Sequence, residues 1–207
     1  MVSKEKLPDD FYHKAIKIGE EVFQQDIDTL QSLLKNLGQS FVETAKRLCN
    51  CQGLVWITAV GTSAAVGMRF AHILTCSGQR SMFLSPSDGL HGHTNIFRQQ
   101  DILIAISRGG ESREVIQMVE IANQLGTDTL AFVSNPDSHL AKICKSTLLI
   151  PCKQEYELIG YLATTSTIAY SAICDALCGI VAREKRFSPE NFAKIHPGGA
   201  VGKILNP

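Results

Sequence analysis

The sequence has no excess of charge of either sign: twenty Lys and Arg stand against twenty Asp and Glu, giving a net charge of zero. That balance argues against nucleic acid as the main partner, which would favour a basic face. It argues equally against a polybasic hold on a membrane surface. The stretch from Met1 to Phe11 carries Lys4, Glu5, Lys6, Asp9 and Asp10 and no apolar core, so no secretory leader is expected and the reading is cytoplasmic. A run of ~20 apolar residues, as a membrane helix needs, is also missing. The longest uncharged apolar run, Leu158 to Cys174, contains Thr164, Thr165, Ser166, Thr167 and Ser171 and stops at Asp175, which suits a buried helix. Cysteine is present without the spacing of a metal or redox pair. The seven cysteines are odd in number, and Cys49-Asn50-Cys51 lacks the usual two-residue spacer. Cys76, Cys144, Cys174 and Cys178 lie in apolar segments and read as reduced, space-filling thiols. Neither Gly-x-x-x-x-Gly-Lys-Ser/Thr nor Gly-x-Gly-x-x-Gly occurs, so nucleotide binding has no support.

What is there is enough to build a core: 44% of the residues are hydrophobic and 19% charged. Through the first fifty positions, Phe11, Ala15, Ile18, Val22, Ile27, Leu30 and Leu34 recur mostly at three- and four-residue steps, which predicts an amphipathic helix. A break at Gly38-Gln39-Ser40 precedes a second, short helix ending near Cys49. This helical arm, residues 1–52, either packs between subunits or caps its own domain. From Leu54 the pattern alternates. Strands are expected at 54–60, 81–84, 101–107, 129–133 and 147–150, with helices at 65–76, 112–125, 138–144 and about 162–185. The strands are continuous apolar runs, the mark of strands covered on both faces. Alternating β and α then imply right-handed crossovers and a doubly wound parallel sheet, a three-layer α/β/α domain over 53–207.

In such sheets ligands bind beyond the carboxyl ends of the strands, where helix-start amides hold anions. Two strand ends carry suitable loops, Gly61-Thr62-Ser63 and Ser107-Arg108-Gly109-Gly110-Glu111-Ser112. Ser63 and Ser112 could each be a simple helix N-cap; two such loops on one sheet favour a phosphate cradle. His91 and His196 sit in Gly/Pro-punctuated loops, where catalytic groups concentrate. His91-Gly92-His93 shows no further metal-ligand pattern, and no metal is assigned. The terminal Pro197-Gly198-Gly199 is not expected to form regular structure and suggests a tail wrapped closely on something.

These loops, together with Ala163-Thr164-Thr165-Ser166-Thr167, resemble the sugar-isomerase (SIS) domain. The tail from Ile195 to Leu205, with His196-Pro197-Gly198-Gly199, resembles the arabinose-5-phosphate isomerase branch, as do Ser85 to Gly92 and Phe187 to Ala193. The resemblance implies a flavodoxin-like fold of five parallel strands. Its ligand would be a small-molecule sugar phosphate, with the phosphate held among Gly61, Thr62, Ser63, Ser107, Arg108, Gly109 and Ser112, and substrate also met by Thr164 and Thr165. No cofactor is implied. The reaction would interconvert arabinose 5-phosphate and ribulose 5-phosphate, with Glu111, Glu155, His91 and His196 as catalytic candidates. The chain would form a homodimer or homotetramer with sites near subunit interfaces, without nucleic acid or membrane partners. Isomerisation of another phosphosugar, or a non-catalytic phosphosugar sensor, are the alternatives.

Five departures stand out. Thr62 replaces a usual lysine, Arg108 an asparagine and Gly109 a serine. The usual Lys-Glu-Ala-Cys-Pro before the Thr-rich helix is Gln154-Glu155-Tyr156-Glu157-Leu158 here, and His93 replaces an aspartate. The branch often continues into a regulatory pair of nucleotide-sensing (CBS) modules, which these residues do not include.

Overall fold

The computed structural model describes residues 9–205. The amphipathic N-terminal stretch forms α1 (Asp9–Lys35), and the break at Gly38 separates it from α2 (Gln39–Asn50). Five strands follow, β1 (Val55–Ala59), β2 (Ser81–Phe83), β3 (Ile102–Ile106), β4 (Asp128–Val133) and β5 (Ser146–Leu149). Between them lie α3 (Gly61–Cys76), the short α4 (Pro86–Gly89), α5 (Arg113–Gln124) and α6 (His139–Ile143). The long α7 (Thr165–Glu184) closes the domain, and α8 (Pro189–Ile195) and α9 (Gly199–Leu205) form the tail.

All pairings are parallel, in the order β2-β1-β3-β4-β5. The unbroken apolar runs have a direct explanation. Ile102, Ile104 and Ile106 of β3 face one core, with Phe70 and Leu74 of α3 and Ile173 and Leu177 of α7. Leu103 and Ala105 face the other, with Val115, Met118 and Val119 of α5. By length and composition α7 could cross a membrane, yet half of its most apolar window is buried inside the protein. It packs against α1, α2 and α3.

At the amino ends of the strands the buried Asp101 carboxylate gathers three donors. These are the amides of Leu54 at 2.8 Å and Arg98 at 3.0 Å and the Trp56 indole N–H at 3.0 Å. Gly53 permits this close approach, because a Cβ there would lie 2.2 Å from the carboxylate oxygen.

Two expectations change. The first long helix inside the sheet, expected from Ala65, starts at Gly61, so the Gly-Thr-Ser segment is its first turn. The Pro-Gly-Gly tail, expected to be irregular, contains the start of α9 at Gly199. The φ of 69° at Gly199 supplies the left-handed turn that lets helix resume, and Gly202 lets α9 approach the His196 and Pro197 carbonyls. Beyond each other, α8 and α9 have few neighbours, and none of the α8 side chains is buried.

Candidate functional site

The chain leaves β1 toward the face covered by α3 and α7 and leaves β3 toward the face covered by α5. Since β1 and β3 are neighbours, their carboxyl ends diverge into a crevice, the switch point where open α/β sheets bind ligands.

On one wall stands the first turn of α3. Gly61 turns the chain with φ 58°, Thr62 is exposed and Ser63 half-buried. The early amides of this helix have no acceptor within it, and the helix dipole adds partial positive charge. The other wall is the loop after β3, tightly built around Ser107. The Ser107 amide donates to the Phe132 carbonyl at 3.1 Å. Its hydroxyl accepts from the Gly110 amide at 3.1 Å and lies 3.2 Å from the Ser112 hydroxyl. Gly110 has φ 71°, and Gly109 is exposed with open space around it. Neither loop serine acts as a helix cap: Ser63 lies inside α3, and Ser112 occupies the N-cap position of α5 without a side-chain cap bond.

Three spaces open around these loops. A narrow crevice is lined by Ser63, Arg108, Ser166, Thr167 and Tyr170. Outside it, Thr62, Arg69 and Thr167 line a cleft of about 330 Å³. On the far side of the first loop, Gly61, Ser85, Ser87, His91 and Glu114 line a cleft of about 480 Å³. His91 and the Gly61 turn therefore share one space.

The remaining candidates are not gathered there. Glu111 is exposed, and its Oε1 accepts from the His139 amide at 2.9 Å, at the start of α6. Glu155 is exposed on a single 3-10 turn, Gln154–Tyr156. His196 ends α8, stacked on Phe192 with ring centroids 4.7 Å apart. Thr164 and Thr165 shape the approach to α7. Thr164 Oγ1 accepts from the Leu158 amide at 3.1 Å, and Thr165 Oγ1 donates to the Tyr156 carbonyl at 3.1 Å.

Other residues reach the site that were not among the catalytic or binding candidates. Tyr170 lies on the inner face of α7, 3.2 Å from the Ser134 hydroxyl, and burial raises its pKa, so the phenol stays protonated. Glu157 is buried, whereas Glu155 two residues earlier is exposed. Burial pushes the nearby Cys152 thiol up to about 11, which leaves it a poor nucleophile at neutral pH.

An open parallel sheet with two hydroxyl- and glycine-bearing loops at its switch point defines a doubly wound α/β domain of the ligand-binding type. More narrowly, the chain belongs to the SIS domain family, whose profile matches residues 50–178. It is 30% identical over 90% of its length to arabinose 5-phosphate isomerase KdsD of Salmonella typhi. It spans 57% of the length of that relative. Among solved structures, a candidate sugar-phosphate isomerase of Listeria monocytogenes superposes with a TM-score of 0.85 at 26% identity, covering 93% of this chain and all of that one. An Escherichia coli CFT073 protein in complex with arabinose 5-phosphate gives 0.84 at 24% identity, covering 89% of this chain and 98% of that one.

Proposed function

We propose that this chain is a phosphosugar aldose–ketose isomerase acting on arabinose 5-phosphate and ribulose 5-phosphate. The observation that carries the reading is the pair of loops facing each other across the β1/β3 crevice, with the Ser107 hydroxyl tied to Gly110 and Ser112. Phosphate anchored there would fix the reacting carbons at the other end of the sugar. In the aldose-to-ketose direction a carboxylate removes the proton from C2 while the carbonyl oxygen O1 is protonated, giving the enediol. The hydroxyl on C2 then loses its proton as the carboxylic acid returns a proton to C1, giving the ketose. Glu111 or Glu155 would be the carbon base, and His91 and His196 would serve the oxygens and ring opening. The identity with KdsD enzymes supports the pentose assignment.

An NMR panel of pentose and hexose phosphates in deuterium oxide tests this. The expected result is interconversion of the pentose pair with solvent deuterium appearing at C2 of the aldose, and loss of exchange in Glu111→Gln or Glu155→Gln. Turnover with no deuterium at C2 would overturn transfer through an exchangeable base. A phosphosugar sensor is the second reading, favoured by the engagement of Glu111 with the His139 amide; it predicts binding without turnover across the panel.

The assembly would be built on α1. Tyr12, Ile16, Phe23, Ile27, Leu30 and Leu34 are all exposed and follow one helical stripe, with Phe23 at 70% and Leu34 at 72% exposure. Steps of three, four and seven suit self-complementary helix packing, and a two-fold dimer would cover the same stripe on both copies. Light scattering is expected to give a dimer or tetramer, and Phe23→Glu with Ile27→Glu to lower the mass. An unchanged mass would remove α1 from the interface.

A further inference from the structure

We propose that Arg108 supplies the cation that grips the ligand's phosphomonoester dianion, and that the buried Glu157 carboxylate is the positioning residue that holds Arg108 over the crevice. The inference rests on the phosphosugar reading above and assigns its charged contact. The first loop offers none, because Thr62 stands next to Gly61. Among the described residues, Arg108 is the one charged side chain lining the narrow crevice with Ser63 and Tyr170.

Its backbone is fixed from both sides: it follows Ser107 at the end of β3, and its carbonyl accepts from the Ser134 amide at 2.9 Å. Its guanidinium is held differently. Nη1 lies 3.7 Å from Glu157 Oε1, with Arg108 28% exposed and the Glu157 side chain fully enclosed. That separation is an ion pair without a hydrogen bond, since N–H···O bonds run at ~2.7–3.2 Å. No other hydrogen bond among the described residues uses the guanidinium.

The carboxylate is just as one-sided. Glu157 Oε2 accepts from the Thr164 amide at 2.6 Å, so the side chain is locked to the start of α7. Glu157 Oε1 is buried and has no hydrogen-bond partner. A buried, incompletely paired carboxylate is costly, and among the described residues its one ion-pair partner is Arg108. The pair therefore reads as a cation held in place with its donor fork still free. A guanidinium fork matches two phosphate oxygens at once, which a lysine ammonium does not.

Calorimetric titration with inorganic phosphate and with arabinose 5-phosphate tests this in the wild type and in Ser107→Ala, Arg108→Gln, Arg108→Lys and Glu157→Gln, alongside KM and kcat where turnover is present. Arg108→Gln is expected to weaken phosphate and sugar-phosphate binding at least about tenfold, the scale of a charge-assisted contact. It should raise KM with little change in kcat, and Arg108→Lys should recover only part. Glu157→Gln is expected to weaken phosphate binding by about threefold to tenfold at unchanged melting temperature, as loss of positioning should. If Glu157→Gln fails to fold, the Arg108 pair of variants decides. Wild-type binding lost in Ser107→Ala but retained in Arg108→Gln would overturn this assignment and leave the phosphate reading standing. No binding by the wild type would sink the phosphate reading itself.

Discussion

Gly110→Ala is expected to lower the melting temperature by roughly 5–15 °C, at 2–4 °C per kcal/mol for a chain of this size, and to abolish measurable phosphate binding. Two separate costs act at this position. With φ at 71°, alanine would occupy the left-handed region, a penalty of about 1–2 kcal/mol. Its Cβ would also lie 2.2 Å from the Ser138 hydroxyl oxygen and 2.4 Å from the Ser138 Cβ. Ser138 is fully buried and cannot step aside, so overpacking adds about 1–3 kcal/mol. The backbone cannot yield cheaply either: the Gly110 amide donates to Ser107 and its carbonyl accepts from the Leu140 amide at 3.1 Å. The strain would fall on the bond that shapes the loop after β3. Thermal melts with and without inorganic phosphate measure both effects. Adding Ser138→Gly should restore part of the stability by removing the clash, while the left-handed penalty remains. Gly109→Ala, with open space around it, should melt within about 2 °C of the wild type. Equal behaviour of the two alanine variants would contradict this account.

Asp101→Ala is expected to be the most destabilising change away from the site, by about 3 kcal/mol or roughly 6–12 °C. One carboxylate satisfies the Leu54 and Arg98 amides and the Trp56 indole, and the Trp56 donor is buried. Removing it strands donors that water reaches poorly. Asp101→Asn keeps one acceptor oxygen and should cost less than half as much. Since Asp101 lies at the amino ends of the strands, opposite the crevice, the folded fraction of either variant should bind phosphate as the wild type does. A melt displaced by less than about 2 °C in Asp101→Ala would show that the carboxylate is not the anchor the geometry describes.

The sheet was legible because its central strands are coded by burial on two faces: Ile102 to Ile106 contains no polar residue to suggest otherwise. Helix starts were less legible. Gly61-Thr62-Ser63 looks like a loop in sequence, yet an N-terminal turn tolerates glycine and hydroxyls, and the helix begins there. Pro-Gly-Gly misled for a related reason, since Gly199 reads as a breaker in sequence and yet opens α9. Within the site, both strand-end loops were visible from their glycines and serines. Tyr170 was not, and Glu157 stood out only as a carboxylate beside Glu155, because what makes them notable is which way they face: inward burial depends on how α7 docks, and neighbouring Glu155 shows the opposite exposure.

The all-parallel sheet also sets the order in which the molecule can come together. No strand pairs with a hairpin partner, and the central ladder joins Val55 to Ile102. Every rung must therefore wait for a helical crossover to close, a long-range requirement that slows folding relative to local contacts. The crevice waits longer still. Its first wall is synthesised at Gly61, while Ser166 and Tyr170 come more than a hundred positions later. During translation α3 and α5 can cover β1 and β3 early, but the part of the sheet face that packs on α7 stays open until α7 leaves the ribosome. The proposed ligand site is thus completed late in the life of each new chain, and stabilisation by a sugar phosphate bound there would act on the finished domain rather than on its assembly.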